Sequence, residues 1–445
     1  MKVKEFTKKL FDRGKAAGFD EMETYASGQD NFSVRIFKGE IDSYSVESPR
    51  GLGFRGLIDG KMGYSYTEKL DEGSIEMLIK DARENAAVID SEDREEIYGG
   101  SDSYPEVTTF HPGLEGVSAK DKIELAKAIE KEALALDERV QIVQSFVRSG
   151  RSNLNILNTR GVDLGFEGNG IGAGLQVVVR QGDETKASWK FNFETDLGKL
   201  DAGDLARKAV TEAASLLKGG SLTSGRYPVV FRYDTAGDML ATFSSSFSAE
   251  NVQKGMSLFA GKLGEVVASD LMTVMDDPLL PGRQFTRPFD GEGVASRTKA
   301  VINKGVLRTY LHNLKTAAKD SVESTGNASR GVASPIGVSP TNMYIAEGKY
   351  SYEDLVKKMD KGLVIISLAG THSGADPISG DFSLGAEGYL VEGGEIVRPL
   401  AQFTIAGNFF DLMKRVIAVG NDLDFGMGRV GAPSILVEEL AVGSE

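Results

Sequence analysis

The apolar positions change period several times along the first half of the chain, and the changes come in the same order twice. Val3, Phe6, Leu10 and Phe11 recur at helical spacing on one face, and Gly18 supplies a stop. Alternation of period two follows: "ETYASGQDNFSVRIF", a "KGE" turn and "IDSYSVES" read as a strand pair. "GLGFRGLI", a "DGK" turn and "MGYSYTE" read as a hairpin by their turn chemistry. Ile75, Leu78, Ile79, Ala82 and Ala86 then restore a helical face.

An acidic, turn-rich connector, "DSEDREEIYGGSDSYPEVTTFHP" (90–112), separates this run from its echo. The echo opens with a helix over 118–136, where Ser118 and Asp121 form an imperfect capping box. "VQIVQSFVRSGRSNLNIL", "NTRG" and "VDLGFEG" repeat the strand pair, and "GIGAGLQVVVRQGDETKASWKFNFE" is a longer hairpin. Leu205, Ala209, Ala213 and Leu216 close it with a helix. An offset of roughly 120 residues, with only two copies, predicts a duplicated unit rather than a solenoid. The expected form is two antiparallel sheets, each flanked by helices.

A Gly/Ser linker, "KGGSLTSGR" (218–226), precedes the buried-type strand "YPVVFRY" and further glycine-punctuated strands. Among these, "SRTKAVINKGVLRTYLHN" reads as a hairpin turning at Lys304–Gly305. The fold class is therefore α+β. A first α+β repeat is expected over 1–98, a second over 112–220, and a glycine-rich, mostly antiparallel β domain over 223–445.

Composition narrows the function. A formal charge of −14 without any dense Lys/Arg run argues against nucleic acid, since phosphate contacts need a basic face. With no cysteine, thiolate zinc sites, disulfides and cysteine nucleophiles are excluded. The opening "MKVKEFTKKLFDRGKAAG" lacks an apolar signal core, and no apolar run of 18 residues occurs, so a cytoplasmic, membrane-free protein is expected.

Several stretches carry chemistry at face value. Gly51-Leu-Gly53-Phe-Arg-Gly56 and Gly426-Met-Gly428-Arg-Val-Gly431 match the dinucleotide fingerprint in letters. Neither runs from a strand into a helix, so the glycines read as turn and close-packing residues. His111, His312 and His372 lie far apart. Asp276, Asp277, Asp290 and Glu292 form a conceivable oxygen site for Mg²⁺ or Ca²⁺, against the commoner reading of Asp-Asp-Pro as a turn. "GTHSGADPISGDFSLGAEGYLVEGGE" (370–395) gathers His372, Ser373, Asp376, Ser379, Asp381 and Ser383 between two strand-like segments. Near neighbours in a chain rarely present the geometry of a triad, and no G-x-S-x-G elbow surrounds these serines. No residue is assigned a catalytic or metal-binding role. His372, Ser373, Asp376, Ser379 and Asp381 are expected in a structured loop that faces a peptide or a partner, its side chains binding their own backbone.

That loop and "DDPLLPGRQFTRPFDGEGVASRTKAVINKGVLRTYLHN" (276–313) resemble the TldD/PmbA family, also called modulators of DNA gyrase, and the PmbA (TldE) branch in particular. The resemblance runs essentially end to end. It implies peptide hydrolysis by a TldD-type chain that carries an HExxxH helix and a later cysteine as zinc ligands. In this sequence the corresponding stretch is "DMLATFSSSFSAENVQKGMSLFAGKLGE" (238–265), with Leu240, Ala241 and Ser245 near the ligand positions. The resemblance thus implies a non-metal subunit, with zinc only in a TldD-type partner and no cofactor here. The implied partners are that metallopeptidase subunit in a heterodimer, or a second copy in a homodimer, together with extended or unfolded peptides taken as an added strand. The alternatives are a stand-alone homodimeric peptide-binding protein and a hydrolase that uses the His372 loop.

Overall fold

The computed structural model describes residues 1–89 and 95–444. Helix α1 (Val3–Ala16) buries Phe6 and Leu10, and the chain turns into the long strand β1 (Glu21–Phe37). Strands β2 (Glu40–Glu47), β3 (Arg50–Ile58) and β4 (Lys61–Thr67) follow, then α2 (Glu72–Val88), whose first turn is capped by Asp71 accepting the Ser74 N–H. The second copy runs α3 (Ala119–Leu136), β5 (Val140–Asn158), β6 (Asp163–Gln181), β7 (Glu184–Glu194) and α4 (Ala202–Ser215). The capping box at Ser118 and Asp121 is complete, with both reciprocal hydrogen bonds made.

The expectation of two separate sheets is corrected. All seven strands form one sheet in the order β4-β3-β1-β5-β6-β7, with β2 also on β1. The seam is an antiparallel ladder from Glu23↔Asn158 to Phe37↔Gln144. The strand count of the second copy is corrected as well, because "VDLGFEG" and "GIGAGLQVVVRQ" are one continuous strand, β6. In the first copy the equivalent path is broken at Ser48–Pro49. There β2 pairs with Asn31–Phe37 and β3 with Glu21–Gly28, both antiparallel to β1. A proline has no N–H for a ladder, so it splits one long strand into two. With that allowance the copies share one strand order, related by a pseudo-twofold through the β1/β5 seam.

Period two sorts the sheet's faces. Met22 and Ala26 pack with α1 and α2, whereas Glu23 and Tyr25 point to the C-terminal half, where the Tyr25 hydroxyl donates to the Arg330 carbonyl at 3.1 Å. The four helices thus cover one face and the C-terminal half covers the other.

That half is built on β8 (Gly225–Phe231), which pairs parallel with Gly362–Ala369 and antiparallel with Ile435–Ser444. The path continues through Phe403–Asn408 to Asp381–Glu392, which pairs back onto Gly362–Ala369. Five strands therefore close into a ring, filled by Phe231, Ile365, Leu384, Ile405 and Val437. Helix α5 (Tyr233–Phe243) leaves β8 after a single residue. A second, five-stranded sheet carries the 276–313 motif, including the hairpin at Lys304–Gly305, where both residues take positive φ.

The glycine fingerprints have a packing explanation. A Cβ on Gly53 would lie 2.5 Å from the Val332 carbonyl oxygen, and one on Gly431 would lie 2.7 Å from the Phe425 ring. Bare backbone is what lets the segment around Val332 lie flat on β3.

Candidate functional site

Helix α5 is fixed at its start by the barrel. The Arg232 N–H and the Thr235 hydroxyl both donate to the Ile365 carbonyl, each at 3.1 Å. Ala236, Met239, Leu240 and Phe243 face the core. The opposite stripe, Tyr233, Asp234, Gly237, Asp238 and Ala241, follows the same helical spacing and walls a cleft of about 800 Å³. Across the cleft lies β7, from Ala187 to Asn192, and Phe285, Leu368, Met427 and Arg429 close its ends. Strand β7 is outermost in its sheet, so one row of its backbone groups has no neighbouring strand. Trp189, which is 44% exposed, stacks on Phe191 beside that edge.

An ion network ties this edge to the barrel. Arg232 Nη1 donates to Glu212 Oε2 at 2.5 Å, and its Nε donates to Asp234 Oδ1 at 2.9 Å. Lys190 Nζ reaches the same Glu212 oxygen at 2.7 Å. Burial works to raise the Glu212 carboxyl, but Arg232 and Lys190 outweigh it and hold the group below its ordinary value. Asp238 is exposed on the cleft wall and has no cation beside it among the described residues. Partial desolvation by the cleft walls, and then the Asp234 charge, push its carboxyl up to about 6.

The His372 loop is the hairpin connection between barrel strands Gly362–Ala369 and Asp381–Glu392. Its polar side chains mostly serve its own backbone. Asp376 Oδ1 accepts the Ile378 N–H at 2.8 Å, Ser379 Oγ accepts the Asp381 N–H at 3.2 Å, and Asp381 Oδ1 accepts Asn408 Nδ2 at 2.9 Å. His372 and Ser373 are exposed, and neither side chain makes a hydrogen bond among the described residues. Among the described residues no serine hydroxyl meets the imidazole, so the loop does not show the geometry of a triad. None of these loop residues lines the α5 cleft. The loop touches the segment after α5 instead, where Ser246 Oγ donates to the Pro377 carbonyl at 2.9 Å.

Three of the four carboxylates weighed as an oxygen site are spent elsewhere. Asp276 takes Lys299 Nζ and Asn327 Nδ2, each at 2.8 Å, and Asp277 takes the Thr298 hydroxyl at 2.6 Å. Asp290 accepts the N–H groups of Glu292, Val294 and Ala328. Among the described residues no group of three or more His, Cys, Asp or Glu is arranged to hold a metal.

Sequence reasoning missed a buried network between the layers. Glu23, fully buried on β1, accepts Arg55 Nε at 2.9 Å and Arg330 Nη2 at 2.6 Å through one oxygen, and Arg55 Nη1 lies 3.8 Å from Glu292. Burial raises the Glu23 carboxyl, but Arg55 and Arg330 prevail and hold it below its ordinary value. Its members are strung along the chain from β1 to residue 330, so no local motif announces them.

Family models for the PmbA/TldA metallopeptidase match the chain in three consecutive pieces: domain 1 over 22–86, the central domain over 112–217 and the C-terminal domain over 224–444. A Thermotoga maritima protein, solved under the label of a DNA gyrase modulator, is 35% identical, with a TM-score of 0.93 over 99% of this chain and 100% of that one. This chain belongs to the PmbA/TldD metallopeptidase family. The Escherichia coli O157:H7 metalloprotease PmbA is 25% identical over 96% of this chain and 93% of its own length. TldE from Thermococcus kodakarensis has the same fold, with a TM-score of 0.89 at 24% identity over 98% of this chain and all of that one.

Membership raises the question of zinc, and the α5 wall answers in donor chemistry. Leu240 is buried in the core, Ala241 faces the cleft with a methyl group, and Ser245 lies beyond the helix end. Leucine and alanine side chains offer a metal no lone pair, and the chain has no cysteine to complete a set. The residues present do not fit a zinc site here.

Proposed function

We propose that this chain is the non-metal, PmbA/TldE-type subunit of a zinc-dependent TldD/TldE-type peptidase. The observation that carries this reading is the α5 wall. It lacks ligands at Leu240, Ala241 and Ser245, yet it still borders a deep cleft with a free strand edge. An extended peptide could add to β7 through main-chain hydrogen bonds and rest its side chains on Trp189, Phe191 and Phe285. In this role the chain shapes the substrate channel, and a TldD-type partner supplies the metal and the cut. The names of the metalloprotease relatives support a role in proteolysis. The two alternatives, a homodimeric peptide-binding protein and a hydrolase acting alone, are outcomes of the same test.

The test is co-expression with a TldD-type chain bearing HExxxH, followed by cleavage assays of each chain and of the mixture on unfolded peptides. Cleavage by the mixture, with no stoichiometric zinc in this chain alone, is expected. About one zinc per isolated chain by elemental analysis, or hydrolysis by the isolated chain, would overturn the reading.

The His372 loop has a place in it as a partner- or peptide-facing element, because the exposed ring makes no hydrogen bond among the described residues. His372→Ala is expected to leave the unfolding midpoint unchanged while weakening partner assembly or peptide capture by roughly 1–2 kcal/mol. Unchanged affinity for both in calorimetric titration would remove the loop from the contact surface.

A further inference from the structure

A second cavity, of about 610 Å³, lies on the other half of the seven-stranded sheet and shares no lining residue with the α5 cleft. Strands β3 and β4 form its floor, the end of α2 and the short helix Leu314–Asp320 form its sides, and residues 330–336 roof it. The roof is held down by the close approach of Val332 to Gly53.

The lining mixes apolar and charged groups: Ile89, Leu314, Val332, Pro335 and Ile336 stand among Glu95, Glu96, Glu250 and Glu292 and the cations Arg55, Lys315 and Arg330. Among the described cations, Arg55 and Arg330 converge on Glu23, each also keeping one buried nitrogen, Nη2 and Nε respectively, without a hydrogen bond, and Lys315 lies 4.0 Å from Glu95. Glu95 also takes the Tyr64 hydroxyl, and Glu250 pairs with Lys254 at 2.7 Å. Glu292 is the exception. Only 3% exposed, it accepts the Leu314 N–H on Oε2 at 2.8 Å, but Oε1 has no hydrogen bond among the described residues. Among the described residues its ion pair is the loose contact with Arg55 at 3.8 Å. The residue is buried, but this oxygen opens onto the roomy cavity, where a ligand's donor can reach it.

We propose that this cavity binds a primary ammonium group carried on an apolar stem, with Glu292 as counter-ion and the apolar lining residues Ile89, Leu314, Val332 and Ile336 receiving the stem. An ammonium brings three donors and a compact charge, which suits a carboxylate that the planar arginines reach only poorly. The free N-terminus of a peptide and a lysine side chain both present this chemistry. The inference concerns a different cavity from the proposed peptide channel and does not depend on it.

The groups facing Glu292 are Asp290 from its own loop, Arg55 from β3, Arg330 from the roof and Lys315 from the short helix. Glu23 stands behind the two arginines, and Tyr64 and Glu95 lie on the β4 side. Burial, and then the Asp290 charge against the pull of Arg55, push the Glu292 carboxyl up to about 7. A cationic ligand needs the ionised form, so binding below that pH must release a proton, and affinity must rise with pH.

The experiment is isothermal titration of the full chain with hexylamine, hexanol and hexanoate. Hexylamine is expected to bind about tenfold more tightly at pH 8 than at pH 6, with proton release at the lower pH. Glu292→Gln keeps an acceptor for the Leu314 N–H and is expected to abolish that pH dependence and weaken hexylamine at pH 8 by about tenfold or more. Glu96→Gln, at the exposed rim, gives a milder loss of about two-fold with no risk to folding. Hexanol or hexanoate binding as well as hexylamine, or wild-type hexylamine affinity that is flat with pH, would overturn the proposal, as would no binding at all. Leu-Ala-Leu amide with a free N-terminus, set against acetyl-Leu-Lys-Leu amide, then assigns the source of the amine.

Discussion

Glu23→Ala is expected to lower the unfolding free energy by about 3–5 kcal/mol, because it strands two arginines in the interface between the sheet and the C-terminal half. Arg55 is 3% exposed, and its best partner is the lost carboxylate. Urea unfolding of the two proteins at neutral pH measures the loss. A difference under about 1 kcal/mol would show that the guanidinium groups reach water without cost. The sign of the pH dependence follows from the depressed Glu23 carboxyl. Its contribution is present in full above the ordinary carboxylate range and is lost as pH falls through the lower folded value. Acid unfolding of Glu23→Gln should therefore be less steep than that of the wild type.

Glu292→Gln should act in the opposite direction and stabilise the chain at alkaline pH. The folded state holds the Glu292 proton to about 7, above the ordinary 4.5, so the unfolded chain gives up that proton first as pH rises. Stability is unaffected by this group below the ordinary value, declines between the two, and stays lower above the folded one. Removing the charge should restore about 3 kcal/mol at pH 8 and nothing at pH 4. Unfolding midpoints measured across that range decide it. A variant no more stable at pH 8 than the wild type would mean that Arg55 already neutralises the carboxylate. Opposite signs for two glutamates on the same arginine are a sharper check than either alone.

The features legible in the sequence were those whose signal is local. Alternation along "ETYASGQDNFSVRIF" marks β1, the run Ile75 to Ala86 marks α2, and Lys304–Gly305 marks its hairpin, since each pattern depends only on neighbours a few residues apart. The merger of two sheets was not legible. Both β1 and β5 carry free edges in a reading of each copy alone, and nothing in either strand states that the other covers it. The split of β2 from β3 was legible as two separate runs, "IDSYSVES" and "GLGFRGLI", whereas the unbroken β6 reads as two strands because its glycines resemble turns. At the candidate site, Leu240, Ala241 and Ser245 are singled out by the family resemblance alone. The Glu23–Arg55–Arg330–Glu292 network could not, since Glu23 and Arg330 lie 307 residues apart and isolated charges have no period.

The β1/β5 seam sets limits on dissection of the molecule. Fifteen residues of β1 pair with fifteen of β5, so the two family-model segments on either side of the connector are not independent folding units. A chain cut within 98–112 would leave each fragment with a long, regular, unsatisfied strand border, the kind of surface that recruits copies of itself. Expressed alone, either fragment should form like-with-like pairs or fibrils. Mixed before refolding, the fragments should find each other and rebuild the native border. The linker between the repeats can then be lengthened or severed far more safely than either border strand can be altered.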